Sequence, residues 1–587
     1  MNKTKTEEKK EIRLNGAAVS AGIAIGKVFL ADTYQHCPPY REIPKELRQK
    51  EMDRFKTAVK QTKTDFKATY TKIYERLGKN YAKIADAHIL ILEDPALQKK
   101  TQDLIKNGSN AEYAVYKTME EFIVSLDSLQ DEYFRDRRFD LQDVCKKLID
   151  NLSGQNKSKL SSLGSDSIIA AHNLTPADTV AMREQFIKGF ATDIGGKTSH
   201  TAIVARGFGI PAVVGLKNLS AIVKNGDAII IDGNRGIAIV NPLKETVAFY
   251  EKEFEIWNDE YKGLEKLKDL PSETKDGVKI AVLANIDSPE EAENTAKQGI
   301  KGIGLYRTEF LYFNRSDMPS EEEHFENYKK AAESVSPFET IIRTLDLGGD
   351  KLFQMGLLNT DEENNPFMGL RAIRLCLKFP KMFKEQIRGI LRASAFGKIK
   401  IMYPMISGIE ELKAANNLLE EAKESLRKAN EKFDENIEVG AMIEVPSAAV
   451  ITDLLAKELD FVSIGTNDLI QYTLAVDRVN EDVAYLYDPI HPSIIRLLKQ
   501  IIDGAVNAGI KSAMCGEMAG DPFYTPLLLG LGLKEFSVSP IQSAKIKKVI
   551  RAVKISDMQG LADEILKCGD RNITEELLNN IKKTINV

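Results

Sequence analysis

Histidine, cysteine and tryptophan are all scarce: 587 residues hold six histidines, five cysteines and the single Trp257. The cysteines, Cys37, Cys145, Cys376, Cys515 and Cys568, form no CxxC pair and no even framework. Reduced thiols in a cytosol are therefore expected, and any cysteine with a role must act alone. No uninterrupted apolar run is long enough to span a bilayer. The opening residues, MNKTKTEEKK, lack the apolar stretch that a signal peptide places behind its basic start. These features predict a cytoplasmic protein with no membrane insertion. The formal net charge of −5 argues against a nucleic-acid surface and leaves room for a basic partner.

Core-forming residues are plentiful, at 43% hydrophobic against 28% charged. The length predicts roughly three to four domains. Residues 1–11 read as a polar extension. Gly/Ala/Val-rich strand texture follows at 12–32 and resumes from 156 to 240, in SIIAAHNLTPADT and NGDAIIIDGNRGIAIV. Between these, 33–155 is charged and helical: Met52, Phe55, Val59, Phe66, Tyr70, Ile73 and Leu77 make one apolar stripe at helical spacing. The helical block thus reads as an insert in an α/β domain. Residues 241–272 read as a helical linker, leaving 273–587 as the last domain.

In that last stretch eight apolar runs, near 278–285, 302–306, 340–346, 398–404, 436–443, 459–465, 510–515 and 534–538, alternate with helical segments. Eight such units predict a (β/α)8 TIM-type barrel, whose chemistry gathers beyond the C-terminal ends of the strands. Those ends carry Arg307 in YRTEF, Arg343 before DLGGDK, Glu444 in MIEVP, Asn467 and Asp468 in SIGTNDL, and Cys515 in AMCGE. Each alone passes as an ordinary loop residue; together they describe a site. Two carboxylates on neighbouring strand ends, Glu444 and Asp468, suit a hard cation such as Mg2+. Arg307, Arg343 and Arg478 suit phosphate and carboxylate, because a guanidinium fork meets two oxygens at once. The combination describes a pocket for a small phosphorylated acid. Cys515 is either an acid or base within it or a small buried apolar residue.

The first half holds GGKTSHTAIVAR, where His200 follows a glycine pair and two hydroxyls. A nucleophilic histidine needs an exposed neutral nitrogen and an unobstructed approach. Gly195 and Gly196 permit close approach, and Thr198, Ser199 and Thr201 can donate to phosphoryl oxygens. The alternative is a helix start with a capping hydroxyl.

GGKTSHTAIVARGFGIPAVVG resembles the phosphohistidine signature of the phosphoenolpyruvate-utilising enzymes, and LDFVSIGTNDLIQYTLAVDR resembles their barrel signature. From GIAIGK to the final helices the chain is similar to the Enzyme I family of the bacterial phosphotransferase system. The resemblance implies a swivelling phosphohistidine domain with an inserted helical domain that docks the phosphocarrier HPr, and then a phosphoenolpyruvate-binding barrel that dimerises. It implies that His200 is phosphorylated on Nε2 and oriented by Thr179. It further implies that Arg307, Arg343, Arg371, Asn467, Asp468 and Arg478 hold phosphoenolpyruvate, that Glu444 and Asp468 ligate Mg2+, and that Cys515 protonates the enolate of pyruvate. His88, Glu93 and Asp94 fall where the HPr face is expected; the alternative there is a helix end with ordinary solvated charge. Ala21 and Ile470 stand where the family commonly has proline and threonine. Dikinases and synthases with the same signatures need a nucleotide-binding domain for which this chain has no room. A non-catalytic scaffold binding phosphoenolpyruvate or HPr would be favoured by loss of His200, a metal carboxylate or Cys515, and none is lost.

Overall fold

Strand Ser167–Ala171 (SIIAA) divides its side chains cleanly: Ile169 and Ala171 enter one apolar cluster, Ile168 and Ala170 another. Successive residues of a pleated strand point to opposite faces, so a run that is apolar throughout belongs to a sheet covered on both sides. In a computed structural model, described for residues 10–31, 38–77, 88–127, 132–154, 167–174, 187–195, 210–312, 317–349, 352, 365–478, 480 and 482–585, that sheet has eight strands. They are β1 (Ile12–Asn15), β2 (Ala17–Ser20), β3 (Ile23–Leu30), β4 (Ser167–Ala171), β5 (Gly189–Thr192), β6 (Ala212–Val214), β7 (Ala228–Asp232) and β8 (Ile237–Val240). Their order is β1-β8-β7-β3-β4-β5-β6-β2. The β3 to β6 pairs are parallel and the flanking pairs antiparallel.

β3 and β4 pair directly, Lys27 against Ser167, although a helical segment separates them in sequence. That segment has its own core, with Met52, Phe55, Phe66, Leu97, Val115 and Leu148 buried and Val59 packed against them. Helix Arg48–Leu77 carries the expected stripe at Met52, Phe55, Val59 and Phe66; the side chains of Tyr70, Ile73 and Leu77 lie outside the described residues. Asp94 caps helix Pro95–Lys106, accepting from the N–H groups of Ala96 (2.7 Å) and Leu97 (3.0 Å). Glu93 pairs with Lys63, and His88 is buried with its ring 5.1 Å from that of Phe66. Asp94 thus satisfies the helix start that its position in the sequence allowed for.

Contacts divide the chain into two units, Met1–Glu260 and Tyr261–Val587, and helix Lys244–Leu267 carries the backbone across that boundary. The second unit is a closed parallel barrel of β9 (Ala281–Ile286), β10 (Ile303–Tyr306), β11 (Thr340–Arg343), β12 (Ile399–Tyr403), β13 (Glu438–Ile443), β14 (Phe461–Ile464), β15 (Lys511–Met514) and β16 (Glu535–Val538). β16 returns to β9 with Glu535 opposite Ala281. Each expected apolar run contains or largely overlaps one of these strands. Leu305, Ile341, Met402, Met442, Phe461 and Cys515 pack together as one cluster of the barrel. Ile303, Tyr306, Ile342, Ile401 and Ile443 belong instead to the large core shared with the surrounding helices. Helix Pro380–Ala393 shows how that core is filled: proline at its start needs no N–H partner, and Phe383, Ile387, Ile390 and Leu391 recur at three- and four-residue steps on the buried face. Among the described residues, no helix is long and apolar enough to cross a membrane.

Candidate active site

Parallel strands all end at the same rim, so residues that follow different strands meet there. Arg307 follows β10, and its N–H donates to the carbonyl of Ile286 at the end of β9 (2.9 Å). Arg343 is the last residue of β11. Glu444 follows β13, and Asn467 and Asp468 lie in the first turn of helix Thr466–Leu474 after β14. Cys515 follows β15, its N–H bonded to the carbonyl of Ile464 (3.1 Å). Arg371 stands at the N-cap position of helix Ala372–Lys378, its side chain making no cap bond, in a segment bridged to Gly348. Arg478 lies beyond helix Thr466–Leu474, its N–H donating to Oε1 of Gln471 (3.3 Å). All of these side chains line one cavity of about 500 Å3.

The arginines are held by carboxylates that pattern reading did not single out. Arg343 is 9% exposed; its Nη2 meets Glu309 Oε1 at 2.5 Å and its Nη1 meets Asp346 Oδ2 at 2.8 Å. The other Asp346 oxygen, Oδ1, accepts from Arg371 Nη2 at 2.9 Å, so one carboxylate clamps two guanidinium groups. Burial works against the charge of Arg343, but Glu309 and Asp346 outweigh it and its pKa is raised. Arg371 shows the same balance, burial being overcome by Asp346 and Asp468. Arg371 Nη1 also reaches Tyr472 Oη at 3.1 Å and Asp468 Oδ1 at 3.5 Å. Behind this rim Gln386, 1% exposed, accepts from the N–H of Leu345 (3.0 Å) and donates to Thr308 Oγ1 (3.1 Å), joining the loops that carry Arg343 and Arg307. YRTEF and DLGGDK contained Glu309 and Asp346, and an acid two or three residues from an arginine at a strand end was the available signal.

Glu444 is fully buried, and Oε1 accepts the N–H of Met405 at 2.6 Å. Burial, then the charges of Asp468 and Asp346, push its pKa well above the ordinary carboxylate range. Such crowding of buried negative charge is relieved by a cation. Gly465 leaves room for this carboxylate, since a Cβ there would lie 2.7 Å from Glu444 Oε2. Among the described residues no cluster of three or more His, Cys, Asp or Glu side chains could hold a metal. Two oxygen donors beside an open cavity therefore fit a hard divalent ion that keeps waters or substrate oxygens as its remaining ligands.

The thiol of Cys515 is buried, and Ser463 Oγ donates to its sulfur at 3.3 Å. Burial raises its pKa, and the Ser463 hydrogen bond and Arg343 only partly offset this. Cys515 is thus a protonated thiol facing a cavity of charges, the form in which it can act as an acid. Asn467 Oδ1 accepts from the N–H of Glu517 (2.9 Å), tying the ends of β14 and β15 together.

In the first unit Gly195, just after β5, has φ +115°, a conformation that favours glycine. His200 and Thr179 lie outside the described residues.

Family profiles cover most of the chain: PEP-utilising enzyme, N-terminal, over 15–137; mobile domain, over 163–236; and PEP-binding domain, over 261–555. The phosphoenolpyruvate-protein phosphotransferase of Staphylococcus aureus strain Mu50 is 42% identical over 97% of this chain and 99% of that protein. The chain belongs to the phosphoenolpyruvate-protein phosphotransferase family. The Listeria innocua phosphotransferase of the same name is 43% identical, again over 97% of this chain and 99% of that one. A solution NMR structure of an Enzyme I protein is 40% identical, covers 42% of this chain and 99% of that one, and has a TM-score of 0.34. As a member of this phosphotransferase family the chain is an enzyme, and the cavity lies wholly within the segment matched as PEP-binding. Phosphoenolpyruvate-utilising enzymes use a divalent metal, which the Glu444 and Asp468 donor set fits.

Proposed function

We propose that the protein takes the phosphoryl group of phosphoenolpyruvate onto His200 and passes it to the histidine of the phosphocarrier HPr, releasing pyruvate. This is the first step of a sugar phosphotransferase system. The observation that carries the proposal is the cavity at the barrel rim, where Arg307, Arg343, Arg371 and Arg478 surround Glu444, Asp468 and Cys515. Four guanidinium groups suit a substrate bearing both phosphate and carboxylate, and carboxylate clamps such as Asp346 pre-orient them. Asn467 adds an amide donor to the same oxygens. Glu444 and Asp468 would hold Mg2+, which when bound supplies positive charge against the phosphoryl oxygens.

In the step itself the neutral Nε2 of His200, oriented by Thr179, attacks phosphorus in line. The P–O bond to the enol oxygen breaks and its electron pair leaves with enolpyruvate. The arginines compensate charge on the equatorial oxygens, so catalysis is mostly positioning and electrostatics. The Cys515 S–H proton then passes to the methylene carbon of the enolate, leaving a thiolate and pyruvate. The raised pKa keeps the proton on sulfur until that moment.

The domain roles follow from the same reading: 12–32 and 156–240 carry the phosphohistidine, 33–155 docks HPr, 241–272 links, and 273–587 binds substrate. Because His200 serves two reaction partners in turn, the phosphohistidine domain swivels between them. A cytoplasmic homodimer joined through the barrel completes the proposal. The test is mass spectrometry of the wild type and of His200→Ala after incubation with Mg2+ and phosphoenolpyruvate, followed by an HPr chase. Label on His200 that moves to HPr is expected. An unlabelled wild type would overturn the phosphotransferase step in favour of a binding scaffold, and label that stays on His200 would overturn the choice of HPr.

A further inference from the structure

Asp287 and Ser288 lead from β9 into helix Pro289–Lys297. The third helical residue, Glu291, reaches back, and its Oε2 accepts the N–H of Asp287 at 3.0 Å. Ser288 is the N-cap residue and makes no side-chain cap bond, so this bond reaches one residue further back, to the N–H that precedes the cap. The Glu291 side chain therefore pins the turn, beside the backbone bond from its own N–H to the Ser288 carbonyl at 3.2 Å. So fixed, Asp287 offers Oδ1 to Arg307 Nη1 at 3.3 Å. The end of β9 thus holds Arg307 twice, by this ion pair and by the backbone bond from the Arg307 N–H to Ile286.

We propose that Glu291 is a positioning residue for Arg307, acting through Asp287, and that its charge tunes how strongly Arg307 attracts an anionic substrate in the cavity. The inference rests on Arg307 being a substrate-binding arginine, as proposed above. The charged or titratable groups facing Glu291 are Asp287, Arg307 and Glu290, with the Tyr306 ring also nearby. Glu290 is itself paired with Lys330, which comes from helix Glu321–Val335 and lies 3.0 Å away. Burial first, and Asp287 second, push the Glu291 pKa up to about 7. Below that pH Glu291 is neutral and Asp287 alone draws on Arg307. Above it two carboxylates do, and less of the guanidinium field is left for an incoming phosphate.

The test uses a phosphorylated 2-hydroxy acid that lacks the enol double bond, phospholactate, so that binding is measured without transfer. Its affinity for the full-length wild type, Glu291→Gln, Asp287→Asn and Arg307→Ala is taken by calorimetry with Mg2+ between pH 6 and 8.5. Ligand titration is common to all, so the ratios between proteins carry the result. Glu291→Gln is expected to match the wild type at pH 6 and to bind about fivefold more tightly at pH 8.5, the order expected for one charge near a solvent-exposed pair. The ratio should turn over near pH 7. Asp287→Asn keeps Glu291 but removes one cause of its raised pKa, so the turnover in that variant should move to lower pH; this readout survives if Glu291→Gln fails to fold. A ratio flat with pH, with Arg307→Ala still binding poorly, would overturn this inference alone. Undiminished binding by Arg307→Ala would overturn the substrate role of Arg307 and this inference with it.

Discussion

Arg343→Met removes a buried cation while keeping a side chain of similar length. Arg343 is the ion-pair partner of Glu309, whereas Asp346 retains Arg371 at 2.9 Å. The substitution therefore leaves Glu309, itself 6% exposed, as a buried carboxylate without its counter-charge. Breaking a buried pair from one side costs about 3–5 kcal/mol, because the remaining charge has lost both water and partner. Glu309 can escape by taking up a proton, which fixes the sign of the pH dependence. Its pKa is raised by burial even with Arg343 attracting the charged form, and it rises further once that attraction is gone. The gap between wild type and variant is thus full above the variant's higher pKa and closes as pH falls through the wild-type value. Urea unfolding of the full chain, followed by far-ultraviolet circular dichroism at pH 5.5 and pH 8, should show the larger loss at pH 8. The double variant Arg343→Met/Glu309→Gln should recover about 2 kcal/mol of it, since the amide needs no counter-charge. A loss under about 1 kcal/mol, or one equal at both pH values, would refute the claim that this ion pair holds the cavity wall.

Gly465→Ala would place a Cβ 2.7 Å from Glu444 Oε2. Labelling of His200 by phosphoenolpyruvate should slow about 100-fold through misplacement of the carboxylate, with the melting temperature less affected, and unchanged kinetics would count against Glu444 as a ligand-bearing residue. Cys515→Ala should slow pyruvate formation by about 10²–10⁴-fold. In the wild type, alkylation of Cys515 by iodoacetamide should accelerate only well above neutral pH, because burial keeps the thiol protonated; fast labelling at pH 7 would contradict its role as an acid. Glu291→Gln should stabilise the protein by about 2 kcal/mol at pH 8 and by nothing at pH 4, allowing for partial exposure of the group. The sign follows from a folded-state pKa near 7 above an unfolded value of 4.5: stability present at low pH is lost as pH rises through 7.

Local pattern made the barrel legible. Short runs of branched residues separated by helix-length segments marked strands because strand and helix periodicities are properties of adjacent residues. β13 ends one residue before Glu444 and β15 one residue before Cys515, so reading the residues at the ends of the runs located much of the cavity lining. Arg371 sits on a helix start rather than a strand end, so nothing local marks it and family resemblance alone points to it. Asp346, Glu309 and Gln386 carry no decisive local mark, because an acid near a strand end, or an amide within helix Pro380–Ala393, looks alike whether it meets water or a buried partner.

By itself the sequence determined the order of strands and helices, the chemical types at the strand ends and the family to which the chain belongs. All of these depend on residues close together in the chain or on motifs read in line. Tertiary structure alone decided the partnerships. Asp346 clamps Arg343 and Arg371, Gln386 ties the Arg343 loop to Thr308, and Glu291 sets the turn from which Asp287 reaches Arg307. Closing eight parallel strands brings their ends to one rim, and only there do charges distant in sequence come close enough in a low dielectric to fix one another's position and protonation.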